Sequence, residues 1–180
     1  MPAKVAFALI AEAFVFGLIL FGSAGTLRWP AGWYFLFLFF GAAALITARL
    51  ARHDPALLDE RMKAFNQKGQ PLWDQIFLVL VLLGFIAWLV VMGLDARFGW
   101  SAVAAPLQLV GAVGVVTGFW IVDRVFRENT FAAPVVKMQA ERGQKVISTG
   151  PYAVVRHPMY AGAAPLLIGA GLLLVHGGAW

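Results

Sequence analysis

The polar segment at residues 123–162 holds the side chains of this chain that are best suited to chemistry. It contains Arg156, His157 and Pro158 in succession. Pro158 suits the first position of a helix, where its missing N–H costs nothing. The free N–H groups and the positive dipole end of such a helix start favour a carboxylate or phosphate. Arg156 could hold the same anion in a bidentate pair. The segment therefore predicts an anion-binding site at a helix N-terminus.

Each of these residues also has an ordinary structural interpretation. Arg156 can extend to lipid head groups, and His157 can cap polar backbone. Tyr152 and Tyr160 are typical of the aromatic belt at a membrane interface. The combination of all four in one short segment favours the binding site.

Other kinds of chemistry have little support in the sequence. The chain has no cysteine, which excludes disulfides, thiolate catalysis and cysteine-based zinc sites. The three histidines, His53, His157 and His176, are too scattered to predict a metal site. Aromatic residues are not interleaved with the basic ones as a nucleic-acid surface requires, so we expect no nucleic-acid partner.

The composition indicates that a membrane positions these residues. Hydrophobic residues make up 61% of the chain and charged residues 13%, with a mean hydropathy of +0.80, which is too apolar for a soluble globular protein. Helices of roughly 20 apolar residues cross a bilayer. We therefore predict an all-α integral membrane protein, with the lipid bilayer as its surroundings and a single domain over residues 1–180. Its four-helix part is 1–122, and 123–180 holds a polar loop and a fifth helix. The five predicted spans are 5–22, 31–48, 75–94, 102–122 and 158–175.

The distribution of Lys and Arg predicts the orientation of the chain. Twelve of them fall on one face: Lys4, Arg49, Arg52, Arg61, Lys63, Lys68, Arg124, Arg127, Lys137, Arg142, Lys145 and Arg156. The opposite face holds only Arg28 and Arg97. By the positive-inside rule, the N-terminus and both long loops are cytoplasmic.

The first long loop carries signals for a helix of its own. Asp54 is suited to the N-cap, Pro55 to the first position and Gly69 to the stop. The pattern predicts an amphipathic helix of about 14 residues on the membrane surface, with Leu58, Met62 and Phe65 on its apolar face. Such a helix is either a basic linker docked on head groups or an element that gates a substrate.

Two further features lie inside the predicted spans. Gly114 and Gly118 in the fourth span form a small-xxx-small pattern, which predicts close helix packing within the chain rather than dimerisation. Glu12 is a carboxylate within the first span. Intramembrane ionisable groups are candidates for function, although Glu12 is also close enough to the cytoplasmic end to extend to it.

The motif Gly-Pro-Tyr-x-x-Val-Arg-His-Pro-x-Tyr-x-Gly at 150–162, preceded by Arg-Gly-x-x-Val-Ile at 142–147, resembles the isoprenylcysteine carboxyl methyltransferase family of membrane enzymes. The resemblance covers about residues 123–175 well. The earlier spans and Pro-x-Leu-Leu-x-Glu-Arg at 55–61 resemble bacterial members more loosely. The resemblance implies a multi-pass methyltransferase of a bacterial inner membrane. Its cofactor is S-adenosylmethionine, and its acceptor is a lipophilic or small molecule with a thiol or carboxyl group.

The resemblance also implies which residues contact the cofactor at the cytoplasmic membrane surface. One wall of the pocket is formed by Gln144, Lys145, Val146 and Ile147, and the other by Tyr152, His157, Pro158, Met159 and Tyr160. Gln139 matches a further polar contact, and Arg156 offsets the cofactor carboxylate. No catalytic side chain and no metal are implied.

The sequence leaves alternatives to this prediction. A related membrane reductase using NADPH has a similar architecture, and a non-catalytic membrane scaffold or transporter is the third possibility. Members of the resembled family continue with another membrane helix and a Glu-Glu to Arg-x-x-Pro region, whereas the given chain stops at Trp180. We therefore expect the sequence to be a fragment.

Overall fold

The computed structural model describes residues 2–63, 67, 70–135 and 142–175, and in these parts it is helical without any strand. The all-α prediction is confirmed. The helices are α1 (Ala3–Ala24), α2 (Pro30–His53), α3 (Pro55–Met62), α4 (Leu72–Phe98), α5 (Ala105–Glu128) and α6 (Pro158–Leu174), and a short 3-10 helix covers Gly150–Ala153.

In the described part of the chain, four helices rather than the predicted five have the length and apolar composition needed to cross a membrane. These are α1, α2, α4 and α5. Helix α6 begins at Pro158 as predicted, but it has 17 residues and leaves helical geometry at Val175. At 1.5 Å per residue it is about 26 Å long, shorter than a hydrocarbon core of about 30 Å.

Helix α5 continues beyond the predicted end of the fourth span at residue 122. It ends at Glu128, so Asp123 and Arg127 lie on the helix and not in a loop. The side chains explain the extension. The Asp123 carboxylate accepts from Nε of Arg127 at 2.7 Å, one turn away, and from Nε of Arg49 on α2 at 2.6 Å. An ion pair between residues four apart, such as Asp123 and Arg127, stabilises a helix beyond the end of its apolar run.

Helix α3 is shorter than the sequence predicts. Its predicted cap is confirmed, since Asp54 Oδ1 accepts from the Leu57 N–H at 3.0 Å. The helix ends after eight residues, at Met62. Leu57 and Leu58 are buried inside the protein, so this helix packs on its neighbours, whereas Met62 on the predicted apolar face is 46% exposed. The position of the helix on the membrane surface stays a prediction. Phe65 and Gly69 lie outside the described residues.

Helices α5 and α6 pack with their backbones in contact. A Cβ atom placed on Gly169 would lie 2.6 Å from the Gly111 carbonyl oxygen, and one on Gly118 would lie 2.7 Å from the Gly162 carbonyl oxygen. Real Cβ contacts are not this short. The prediction that the glycines of the fourth span serve packing within the chain is therefore confirmed.

A buried apolar cluster joins one end of several helices, and we call it the Phe126 cluster. Its buried members come from α1, α2, α3 and α5: Val5, Leu50, Leu57, Leu58, Val125 and Phe126. Tyr152 and Met159 pack against it from the segment that follows α5. This cluster therefore connects the polar segment of the sequence analysis to the helical body.

The glycine contacts predict a specific loss of stability. Gly169→Ala should lower the free energy of unfolding by about 1–3 kcal/mol, because the added methyl group meets backbone atoms of α5 that cannot move aside. Gly84→Ala in α4 is the matched control, since a Cβ there has no neighbour within 4 Å. This control should be neutral or slightly stabilising. Thermal unfolding in detergent measures both, and equal behaviour of the two variants would contradict the packing.

The predicted orientation can be tested by single-cysteine labelling, since the chain has no native cysteine. An exposed cysteine at Asp59 should be protected from an impermeant thiol reagent in intact cells and labelled after lysis. A cysteine at Ala102, also exposed, should be labelled in intact cells. The reverse pattern would overturn the positive-inside assignment.

Candidate functional site

The last residues of α5 hold the 3-10 helix in place. Thr149 Oγ1 donates to Glu128 Oε2 at 2.8 Å, and Asn129 Nδ2 donates to the Tyr152 hydroxyl oxygen at 2.7 Å. Gly150 lies between these contacts with φ of 57°, and a Cβ there would lie 2.6 Å from Glu128 Cδ. Both the backbone conformation and the space therefore require glycine at this position.

Asn129 also shapes the chain where α5 ends. Its backbone N–H donates to the Val125 carbonyl at 2.9 Å, and its Oδ1 accepts from the Phe131 N–H at 2.9 Å. One side chain thus turns the backbone and fixes Tyr152. Asn129 and Glu128 are not among the site residues predicted from the sequence. The available signal was the polar run Arg-Glu-Asn-Thr directly after Phe126, the last apolar residue of α5.

Contacts of Arg142 fix the start of the 142–147 segment. Arg142 Nη2 donates to the Thr130 carbonyl at 3.0 Å, and its guanidinium lies 5.5 Å from the centre of the Phe131 ring. The chain from 144 to 148 then has no regular secondary structure. Gln144, Lys145 and Val146 are exposed, and Ile147 is half-buried. Gln139 lies outside the described residues.

The start of α6 differs in one respect from the expected anion site. Pro158 is in the first turn as predicted, and the His157 side chain makes no capping hydrogen bond to α6. The N–H group of Tyr160, however, donates to the His157 carbonyl at 3.0 Å, although an N–H at this position has no partner in a regular α-helix. Fewer free N–H groups are therefore available for an anion than the sequence predicts.

The predicted site residues divide into a buried and an exposed set. Pro158 is fully buried, and Tyr152 and Met159 pack on the Phe126 cluster. Arg156, His157 and Tyr160 are exposed, and the His157 and Tyr160 rings lie 5.6 Å apart. The first set anchors the segment, and the second set is free to contact a ligand.

The described residues contain no group of three or more His, Asp or Glu side chains that could hold a metal ion. Within that part of the chain, the ionisable side chains instead serve anchoring contacts or face outwards.

Comparison with known proteins assigns a general class to this region. The model of the phospholipid methyltransferase family matches residues 107–179. The match includes α5 from residue 107 onwards, the 3-10 helix and α6, but it spans only 73 of the 180 residues. No curated protein and no solved structure matches the chain. The family match supports a membrane methyltransferase in general.

The contact between Asn129 and Tyr152 predicts coupled effects of substitution. Tyr152→Phe and Asn129→Ala should each lower the free energy of unfolding, and the double variant should lose about 0.5–1.5 kcal/mol less than the sum. Tyr160→Phe is the control, because Tyr160 is exposed and its hydroxyl makes no hydrogen bond among the described residues. Additive losses for Asn129 and Tyr152 in a double-mutant cycle would show that the hydrogen bond contributes nothing.

Proposed function

We propose that this protein is a membrane methyltransferase that uses S-adenosylmethionine and resembles the isoprenylcysteine carboxyl methyltransferases. Its acceptor is a lipophilic or small molecule with a thiol or carboxyl group. One observation carries the proposal. The α5–α6 pair, which matches a methyltransferase family, also carries the loop with the predicted cofactor residues.

The exposed residues of the loop have the chemistry that this cofactor requires. Arg156 and Lys145 are exposed cations that can pair with its carboxylate. Val146 is 93% exposed and Tyr160 is 73% exposed, and they offer apolar and aromatic surface to a planar base. Exposed apolar side chains of this size beside cations are typical of a surface that a ligand covers.

When bound, S-adenosylmethionine supplies a methyl group on a sulfonium whose neutral thioether departs with the electron pair of the broken bond. The protein's residues then have to align the methyl donor with the acceptor and to exclude water, because this displacement requires no side chain as a nucleophile. Tyr152, fixed by Asn129, holds the loop on the Phe126 cluster. Arg156 and His157 orient the ligand from the start of α6. The apolar cluster beneath the loop keeps that side of the site dry.

Ligand-induced stabilisation distinguishes this function from the alternatives. S-adenosylhomocysteine should raise the thermal unfolding temperature of the detergent-solubilised protein, since a ligand that binds only the folded state stabilises it. NADPH should produce no shift. A shift with NADPH alone would favour a membrane reductase, and no shift with either would favour a scaffold or transporter.

The exposed set of site residues predicts affinity losses without loss of stability. His157→Ala and Arg156→Gln should each weaken S-adenosylhomocysteine binding by roughly ten- to a hundredfold, because a hydrogen bond to a charged group contributes about 1.5–3 kcal/mol. Both side chains are exposed, so thermal stability without ligand should stay the same. Arg52→Gln, an exposed arginine on α2, is the control. Unchanged affinity for both site variants in isothermal titration would refute the assignment of this loop.

A further inference from the structure

A cavity of about 220 Å³ lies among α1, α2, α3 and α5. Apolar side chains from all four helices line most of it, including Leu9, Ile46, Leu58 and Phe119. Two ionisable side chains also line it, Glu12 from α1 and Arg61 from α3. Neither the candidate cofactor loop nor the family resemblance accounts for this cavity.

Arg61 is held firmly in the wall of the cavity. Its Nη1 donates to the Ala132 carbonyl at 3.0 Å, and its guanidinium lies 4.4 Å from the centre of the Phe126 ring. Burial lowers the pKa of Arg61 to about 10, so the side chain remains charged at neutral pH. Among the described residues it forms no ion pair. A guanidinium has five N–H donors, and a largely desolvated guanidinium that forms no ion pair favours an anionic ligand.

The cavity runs along the helices from the end that carries the Phe126 cluster. Its α1 wall runs from Val5 to Glu12, which is about 10 Å along a helix axis. Its α2 wall runs in parallel from Leu50 to Ala43. The shape therefore suits a polar head at the Arg61 end with an apolar chain that continues between the helices.

The Glu12 side chain, unlike that of Arg61, is not held in place by polar contacts with the described residues. It is exposed and makes no hydrogen bond or ion pair among them. Arg61, fixed by two contacts, therefore determines the charge of a ligand, and the Glu12 carboxylate disfavours additional negative charge.

The cavity also lies beside the candidate cofactor loop. Phe126 lines the cavity and belongs to the cluster on which Tyr152 and Met159 pack. The cavity and the loop therefore share the Phe126 cluster.

We propose that this cavity, the Arg61 cavity, is the acceptor site, and that it binds a single-chain membrane amphiphile with a monoanionic head at Arg61. The term acceptor rests on the methyltransferase function proposed above, whereas the binding site and its preference for a single negative charge do not. The apolar chain lies between α1, α2 and α5.

The test measures equilibrium binding of radiolabelled dodecanoate to the protein in phosphatidylcholine nanodiscs, corrected for protein-free nanodiscs. Arg61→Met should weaken binding by roughly ten- to a hundredfold, as expected for the loss of a charged hydrogen-bond partner. Glu12→Gln should strengthen it severalfold by removing a like charge. Arg52→Met, an exposed arginine of α2 outside the cavity, should leave it unchanged.

A second variant separates loss of binding from loss of folding. Ala43→Phe fills the deep part of the cavity without changing a charge, and it should also weaken binding by tenfold or more while helix content and elution volume stay the same. Dodecanoate binding that is absent, or insensitive to both Arg61→Met and Ala43→Phe, would overturn the proposal. Saturable binding of dodecylamine that Arg61→Met strengthens and Glu12→Gln weakens would overturn the assignment of the ligand as an anion.

S-adenosylhomocysteine binding on the same samples distinguishes this inference from the proposed function. Arg61→Met should retain the affinity for S-adenosylhomocysteine. If dodecanoate binds as described but S-adenosylhomocysteine does not bind the unaltered protein, the methyltransferase function fails and the anion site stands. If S-adenosylhomocysteine binds and dodecanoate does not, the acceptor site fails alone.

Discussion

The backbone contact between α5 and α6 is the constraint on which the candidate site depends. Gly111 and Gly118 on one helix face Gly169 and Gly162 on the other, and a Cβ atom on Gly111, Gly118 or Gly169 would lie 2.6 Å from an atom of the partner helix. Because α6 is held at this distance, its first residue, Pro158, is also held relative to the end of α5. The loop between them can then be fixed by a few side-chain contacts such as Asn129 to Tyr152. Small residues suit this task in a membrane, where lipid is as apolar as a leucine side chain and close packing is what favours association.

The Phe126 cluster connects this helix pair to the rest of the protein. It brings together α1, α2, α3 and α5, and the candidate cofactor loop packs on it through Tyr152 and Met159. The ion pair between Arg49 and Asp123 joins α2 to α5. Any shift of the first two helices would therefore be transmitted to the surface beneath the loop. The same cluster forms part of the Arg61 cavity, so one group of apolar side chains supports both proposed binding regions.

Local patterns in the sequence predicted the features that depend on local physics. Apolar runs located α1, α2, α4 and α5, and Pro158 and Asp54 marked helix starts because proline geometry and capping act over a few residues. Long-range contacts were not predictable in this way. Two such contacts are the hydrogen bond from Asn129 to Tyr152 and that from Arg61 to Ala132. Their residues lie far apart in the sequence, and no periodicity of the sequence indicates that they meet. The extension of α5 to Glu128 was missed because hydropathy ends where the ion pairs of Asp123 begin.

The short length of α6 has a consequence for the bilayer itself. A helix of about 26 Å beside partners of spanning length creates hydrophobic mismatch on one side of the protein only. The bilayer on that side must become thinner to match α6, or the ends of α6 must lie below the head groups. Since Pro158 and the candidate loop lie at one of these ends, the membrane surface and the loop are drawn towards each other. The protein should therefore be sensitive to acyl-chain length, with the loop best placed in a bilayer that is thinner than average.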